Sequence, residues 1–114
     1  MTNWSCDAEQ RAGKLAVVEG LTVAQVCRLQ AALLHGLDEA DQVALDLGAV
    51  SEVDIAGLQL LCAAHRLAVA RGKELLLFGV GDRVLELVHT AGFVRGSQCG
   101  IGRDVPCFWA KMAR

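Results

Sequence analysis

Short apolar runs alternate along this chain with longer stretches whose apolar residues recur at helical spacing. "KLAVVE", Lys14 to Glu19, is brief and apolar in its middle, and predicts a strand that Gly20 ends. The following stretch places Val23, Val26, Leu29 or Gln30, Leu33 and Leu37 on one face, which predicts a helix from Val23 to His35 or Leu37. Thr22 stands as its N-cap and Gln25 completes a T-x-x-Q capping box, while Gly36 weakens or ends it. Asp38 to Gln42 is a polar connection. "VALDL", Val43 to Leu47, is a strand whose apolar run, broken only by Asp46, suits a central position covered on both faces. "GAVSEV" reads as a loop, with Val50 and Val53 pinned to the core. A helix follows from Ile55 to Ala70, closed by Arg71 and Gly72. "KELLLFGV", Lys73 to Val80, is another strand, and Asp82 caps a last helix, Arg83 to Ala91, which Gly92 ends.

This β–α–β–α–β–α order implies right-handed crossovers and a largely parallel sheet, an α/β fold. At 114 residues the chain is one domain with one modest core. Composition shifts after Phe93, so residues 1–93 form the domain and 94–114 an appendage. From Val94 on, Arg95, Arg103, Lys111 and Arg114 stand against Asp104, a formal +3; the whole chain carries −2, so the body carries −5. Two roles fit the appendage: folding back to bury Phe108 and Trp109 against the acidic body, or exchanging between protomers or gripping a partner.

Bulk composition narrows the function. The apolar fraction is 54% and the mean hydropathy +0.38, which fits either a very apolar core or a surface that waits for a partner. The slight negative charge gives no basic footprint for nucleic acid, and 4% aromatics with no Tyr leave little to stack bases on. No apolar run is long enough to span a membrane, and "MTNWSCDAEQRAGK" lacks the build of a signal peptide, so a cytoplasmic location is expected. Cys6, Cys27, Cys62, Cys99 and Cys107 are then reduced; they make no C-x-x-C pair and no zinc-like spacing with His, so no metal is expected.

The most site-like feature is the start of the second helix. Asp54 stands just outside it, where a carboxylate accepts from first-turn N–H groups and meets the positive end of the helix dipole. Gly57 either lets another backbone approach or packs against the sheet. The strand "VALDL", the turn and helix "DIAGLQLL", the "ARGK" before a strand and "ELLLFGVGDRVLELVHTAGF" together resemble a STAS domain, over Lys14 to Phe93. That family includes anti-sigma-factor antagonists and sulfate-transporter tails. The resemblance implies a mixed, largely parallel sheet with helices packed mainly on one side. Its phosphorylated members carry a D-S-S-G turn whose second Ser takes phosphate from a partner kinase. Here Asp54 matches the Asp, Ile55 the first Ser, Ala56 the acceptor and Gly57 the Gly, so both hydroxyls are gone. Ser51 lies nearby in sequence and is a substitute site to be tested.

Catalysis is not expected. Asp46 at a strand end invites comparison with the receiver-domain phosphoacceptor, but only Glu19 follows the first strand where an acidic pair would bind Mg²⁺. "GSQCGIG", Gly96 to Gly102, does not join a strand to a long helix. His35, His65 and His89 have no convincing nucleophile and orienting carboxylate. No cofactor is expected either.

A docking surface fits better. Leu60, Leu61, Ala64, Leu67 and Ala68 make a core stripe on the second helix, and Leu58, Cys62, His65 and Val69 a second stripe that is either covered or exposed. In the exposed version Leu58 and Cys62 form an apolar centre, with Glu52, Asp54, Gln59 and Arg66 around the rim, beside Ile55, Ala56 and Gly57. The resemblance implies a protein partner: an anti-sigma factor or histidine-kinase-like ATPase, or a chemotaxis component. Alternatively the partner is the ATPase of a lipid-trafficking ABC transporter. A nucleotide- or lipid-binding module is a third reading, and a homodimer stays open.

Overall fold

The computed structural model of the chain describes residues 2–18 and 20–91. In chain order the elements are β1 (Thr2–Asp7), β2 (Ala12–Val17), β3 (Gly20–Leu21), α1 (Val26–Glu39), β4 (Gln42–Asp46), β5 (Glu52–Val53), α2 (Ile55–Ala70), β6 (Glu74–Phe78) and α3 (Asp82–Thr90). β1, β2, β4 and β6 form one sheet in that order, while β3 and β5 make a separate two-stranded parallel pair. Within the larger sheet β1 runs antiparallel to β2, and β2, β4 and β6 are mutually parallel. The sheet is mixed and largely parallel: the alternation predicts its parallel strands, and the antiparallel β1 makes it the mixed sheet that the resemblance implies.

Register decides which residues share a face, because directly opposed residues on neighbouring strands point the same way. Trp4, Leu15, Leu45 and Leu77 form one such row, and Cys6, Gly13, Val43 and Leu75 another. Their apolar members join one core cluster with Leu29, Leu33 and Leu37 of α1, Leu58, Leu61, Ala64 and Ala68 of α2, and Val84 and Val88 of α3. The helices thus share the core on one side of the sheet. On the opposite side the rows run Ala16, Asp46, Phe78 and Ser5, Lys14, Ala44, Leu76. Lys14, Leu76 and Phe78 are exposed there. The central strand β4 is therefore covered by helices on one face, not on both, among the described residues.

β1 lies outside the predicted elements. Its sequence, "TNWSCD", is mostly polar because an edge strand needs only one anchoring side chain here, Trp4. The indole fits where two glycines leave room: a Cβ on Gly13 would overlap the ring, and one on Gly36 would stand 3.0 Å from its Cζ3. Trp4 Nε1 donates to Glu39 Oε1 at 3.0 Å, and His35 meets the ring edge-on at 6.1 Å. Gly36 thus does not end α1, which continues to Glu39; it receives the tryptophan. The hairpin turn is tied by an exposed ion pair between Arg11 and Asp41 at 2.9 Å. The Arg11 guanidinium, chiefly through its hydrogen bond, holds the Asp41 carboxyl below the usual carboxylate range.

α1 begins at Val26, three residues later than its periodicity suggests, and Gln25 rather than Thr22 occupies the N-cap without a side-chain capping bond. Thr22 and Gln25 still interact, in a turn ahead of the helix. Gln25 N–H donates to the Thr22 carbonyl at 2.9 Å, Thr22 N–H donates to Gln25 Oε1 at 3.3 Å, and the Thr22 hydroxyl donates to the same oxygen. Asp82 lies inside the first turn of α3, whose N-cap is Gly81. α2 keeps its predicted limits, with Gly72 in the left-handed region at φ +70°. The expected Gly92 stop and the 94–114 appendage lie outside the described residues.

Candidate functional site

The corner at the start of α2 is assembled from three pieces of chain: the end of β3 with the residues after it, β5, and the first turn of α2. Asp54 joins them. Its backbone is extended, at φ −135° and ψ 179°, as an N-cap requires. Oδ1 accepts from Gly57 N–H at 3.1 Å, which closes the cap. Oδ2 accepts from Val23 N–H at 2.9 Å, 31 residues away in sequence. Asp54 N–H in turn donates to the Leu21 carbonyl at 2.9 Å. One carboxylate therefore serves two turns, and the bond to Val23 accounts for that residue's position outside α1.

Gly57 explains how closely these pieces meet. A Cβ there would overlap the Leu21 carbonyl oxygen and stand 2.5 Å from its carbonyl carbon. The glycine thus packs against the backbone of β3. From α3, Arg83 Nη1 donates to the Ser51 carbonyl at 3.3 Å and fastens the loop ahead of β5. Asp54→Ala removes a cap and a second charge-assisted bond. Since such caps are worth about 1 kcal/mol and bonds to charged groups somewhat more, a loss of about 2 kcal/mol is expected in urea unfolding.

The expected docking residues divide into three groups. Ile55, Gln59, Cys62 and Arg66 recur at 4, 3, 4 spacing on one face of α2; Ile55, Gln59 and Arg66 are exposed, and Cys62 is half-buried against the core. Glu52 is exposed on β5, with Asp54 and Ala56 half-buried beside it. Gly57 and Leu58 are buried, Leu58 completely. An apolar centre at Leu58 and Cys62 is therefore replaced. The large apolar side chains that reach solvent at this corner are Val23, 69% exposed, and Ile55, 39% exposed. The spacing puts Val23 on a helix face, whereas the long-range bond to Asp54 holds it in the turn ahead of α1, at the surface. His65 and Val69 are half-buried, so the second stripe of α2 is largely covered.

A family model described as "Mlab, STAS domain" matches residues 4–96. The chain belongs to the STAS family. The match starts at Trp4 and so takes in β1, ahead of the Lys14 at which the sequence motifs begin. No curated protein matches the chain closely. Among solved structures this STAS domain is similar to the anti-sigma factor antagonist SpoIIAA in its unphosphorylated form, with a TM-score of 0.66 and 13% identity over 81% of each chain. It is also similar to the phosphorylated form of the Bacillus cell fate determinant SpoIIAA, with a TM-score of 0.64 and 12% identity over 81% of this chain and 84% of the other. An antisigma-factor antagonist STAS domain from Rhodobacter sphaeroides gives a TM-score of 0.55 and 22% identity over 69% and 85%. The shared feature is the fold. In this STAS domain the corner has Asp54 as its cap and Gly57 against β3, with Ile55 and Ala56 between them.

No helix among the described residues is long and apolar enough to cross a membrane. Nor do those residues bring together three His, Cys, Asp or Glu side chains able to hold a metal ion.

Proposed function

We propose that this STAS domain is a non-enzymatic, cytoplasmic docking protein whose binding corner is held permanently in its unmodified state. The observation that carries the reading is the corner itself. Asp54 and Gly57 hold the helix start, Val23 and Ile55 offer apolar contact on its surface, and residue 56, next to Ile55, carries only a methyl group. An apolar spot with a polar rim, here Glu52, Gln59 and Arg66, suits association with a protein surface. A phosphate placed at residue 56 would bring charge into that spot; alanine removes this means of control. Regulation then comes from the amount of protein and from competition among partners.

The partner class favoured by the fold neighbours, two of the three described as anti-sigma factor antagonists, is an anti-sigma factor or a histidine-kinase-like ATPase; a chemotaxis component belongs to the same kind of circuit. Ala56 also favours a second reading, an accessory subunit standing on the ATPase of a lipid-trafficking ABC transporter, since a lasting subunit contact needs no phosphorylation switch.

Titration calorimetry with a kinase-like ATPase and with an ABC ATPase from the same cell separates the two. Ala56→Glu is the common probe. A carboxylate suits the first turn of a helix, so the fold should persist, while a charge set into the interface should weaken binding by about tenfold or more, about 1.4 kcal/mol. Unchanged affinity for every partner that binds would remove the corner from the interface. Incubation with the kinase and ATP should leave the wild type unlabelled, and phosphate on Ser51 would end the claim of a fixed state.

A further inference from the structure

The sheet has a face that the described residues leave open. β2, β4 and β6 are mutually parallel, and parallel sheets occur almost only with both faces covered. Here α1, α2 and α3 share the core on one side. On the other side Leu76 is 41% exposed and Phe78 39% exposed. They share their rows with Ala44 and Ala16, both half-buried. This is an apolar strip in the middle of the sheet. Lys14 lies beside it, with its Nζ 5.1 Å from the centre of the Phe78 ring. The same face carries Asp46 in the row of Phe78, and Asp7 and Glu74 in the row of Ala12 and Gln42.

We propose that residues 94–114 of the same molecule cover this face. The segment matches it in chemistry: Ile101, Val105, Phe108 and Trp109 supply apolar surface for the strip, and its formal +3 charge meets three carboxylates opposed by the single Lys14. Reach does not limit it. Twenty residues of extended chain span roughly 65 Å, and the longest dimension of the molecule is 39 Å. So placed, the segment would supply a third layer over the parallel strands and leave the Val23–Ile55 corner free for a partner.

The three lysines, Lys14, Lys73 and Lys111, provide the test in the full chain. Lys14 is on the open face, and Lys73 reaches the Leu37 carbonyl of α1 on the helical side. A short amine-reactive cross-linker should join Lys111 to Lys14 and not to Lys73. In an equal mixture of ¹⁴N- and ¹⁵N-labelled protein, the joined peptides should carry a single label. Mixed labels as the main product would mean that a second copy occupies the face and would overturn the proposal, as would linkage of Lys111 to Lys73 alone or to neither. Hydrogen exchange gives a second readout. Amides of residues 101–111 should exchange at least tenfold faster in the Leu76→Ser, Phe78→Ser double variant, with the amides of α1 unchanged. Free-chain exchange of those amides in the wild type would equally overturn it.

Discussion

Gly57→Ala is expected to destabilise the domain by about 3 kcal/mol or more, a large effect for the addition of one methyl group. Local propensity argues the other way, since alanine is favoured over glycine inside a helix by about 1 kcal/mol. Geometry decides against it. The new Cβ would overlap the Leu21 carbonyl oxygen, 2.5 Å from the carbonyl carbon and 2.8 Å from the Leu21 Cβ. Two of those three atoms are backbone, which cannot swing aside as the tip of a long side chain can. Overpacking a well-filled site costs about 1 to 3 kcal/mol, and more where the backbone must move. Here α2 must also retreat from β3, stretching the bonds from Asp54 to Val23 and from Asp54 to Leu21. Urea unfolding, read at the midpoint with the slope unchanged, measures the effect. Gly81→Ala serves as a control, because nothing lies within 4 Å of its added Cβ. A Gly57→Ala protein as stable as the wild type would show that the close approach of α2 to β3 is not required.

The sequence patterns that proved legible were local. The alternation of strand and helix, the limits of α2 and the capping role of Asp54 follow from spacing within a few residues, and the structure repeats them. What stayed hidden depends on contacts between distant segments. β1 has one apolar anchor, Trp4, and its fit becomes visible only when Gly13 and Gly36 are known to face it. Val23 falls at the right spacing for the buried face of α1, yet the carboxylate of Asp54 holds it in the turn before the helix. Within the apolar run of β4 only Asp46 hints at an open face, because Ala44 is as compatible with a covered face as with an open one. The site shows the same division. Ile55, Gln59 and Arg66 reach the surface as the docking reading requires, whereas Leu58 does not. α2 is apolar almost all round, so more than one stripe at 3- and 4-residue spacing is available, and the position of Gly57 against Leu21 settles which one faces inward.

Leu58→Ala turns that distinction into an experiment. A docking residue and a core residue predict opposite outcomes for the same substitution. Leu58 is 0% exposed and belongs to the cluster that also contains Leu21 of β3, Leu45 of β4 and Val84 of α3. Truncating a buried leucine removes its transfer free energy and leaves a cavity, together about 2 to 5 kcal/mol. A loss of about 3 kcal/mol is expected, seen as a lower urea midpoint. Under conditions where the variant is still folded, its affinity for a partner should fall by no more than a few-fold, since Leu58 contributes no surface to the corner. Ile55→Ala should do the reverse. Its side chain is 39% exposed, so the expected cost in stability is under about 1 kcal/mol, while partner binding should weaken by tenfold or more, as expected for an apolar anchor at the centre of an interface. A Leu58→Ala protein with wild-type stability and lost binding would place that side chain on the surface and return the docking centre to the middle of α2.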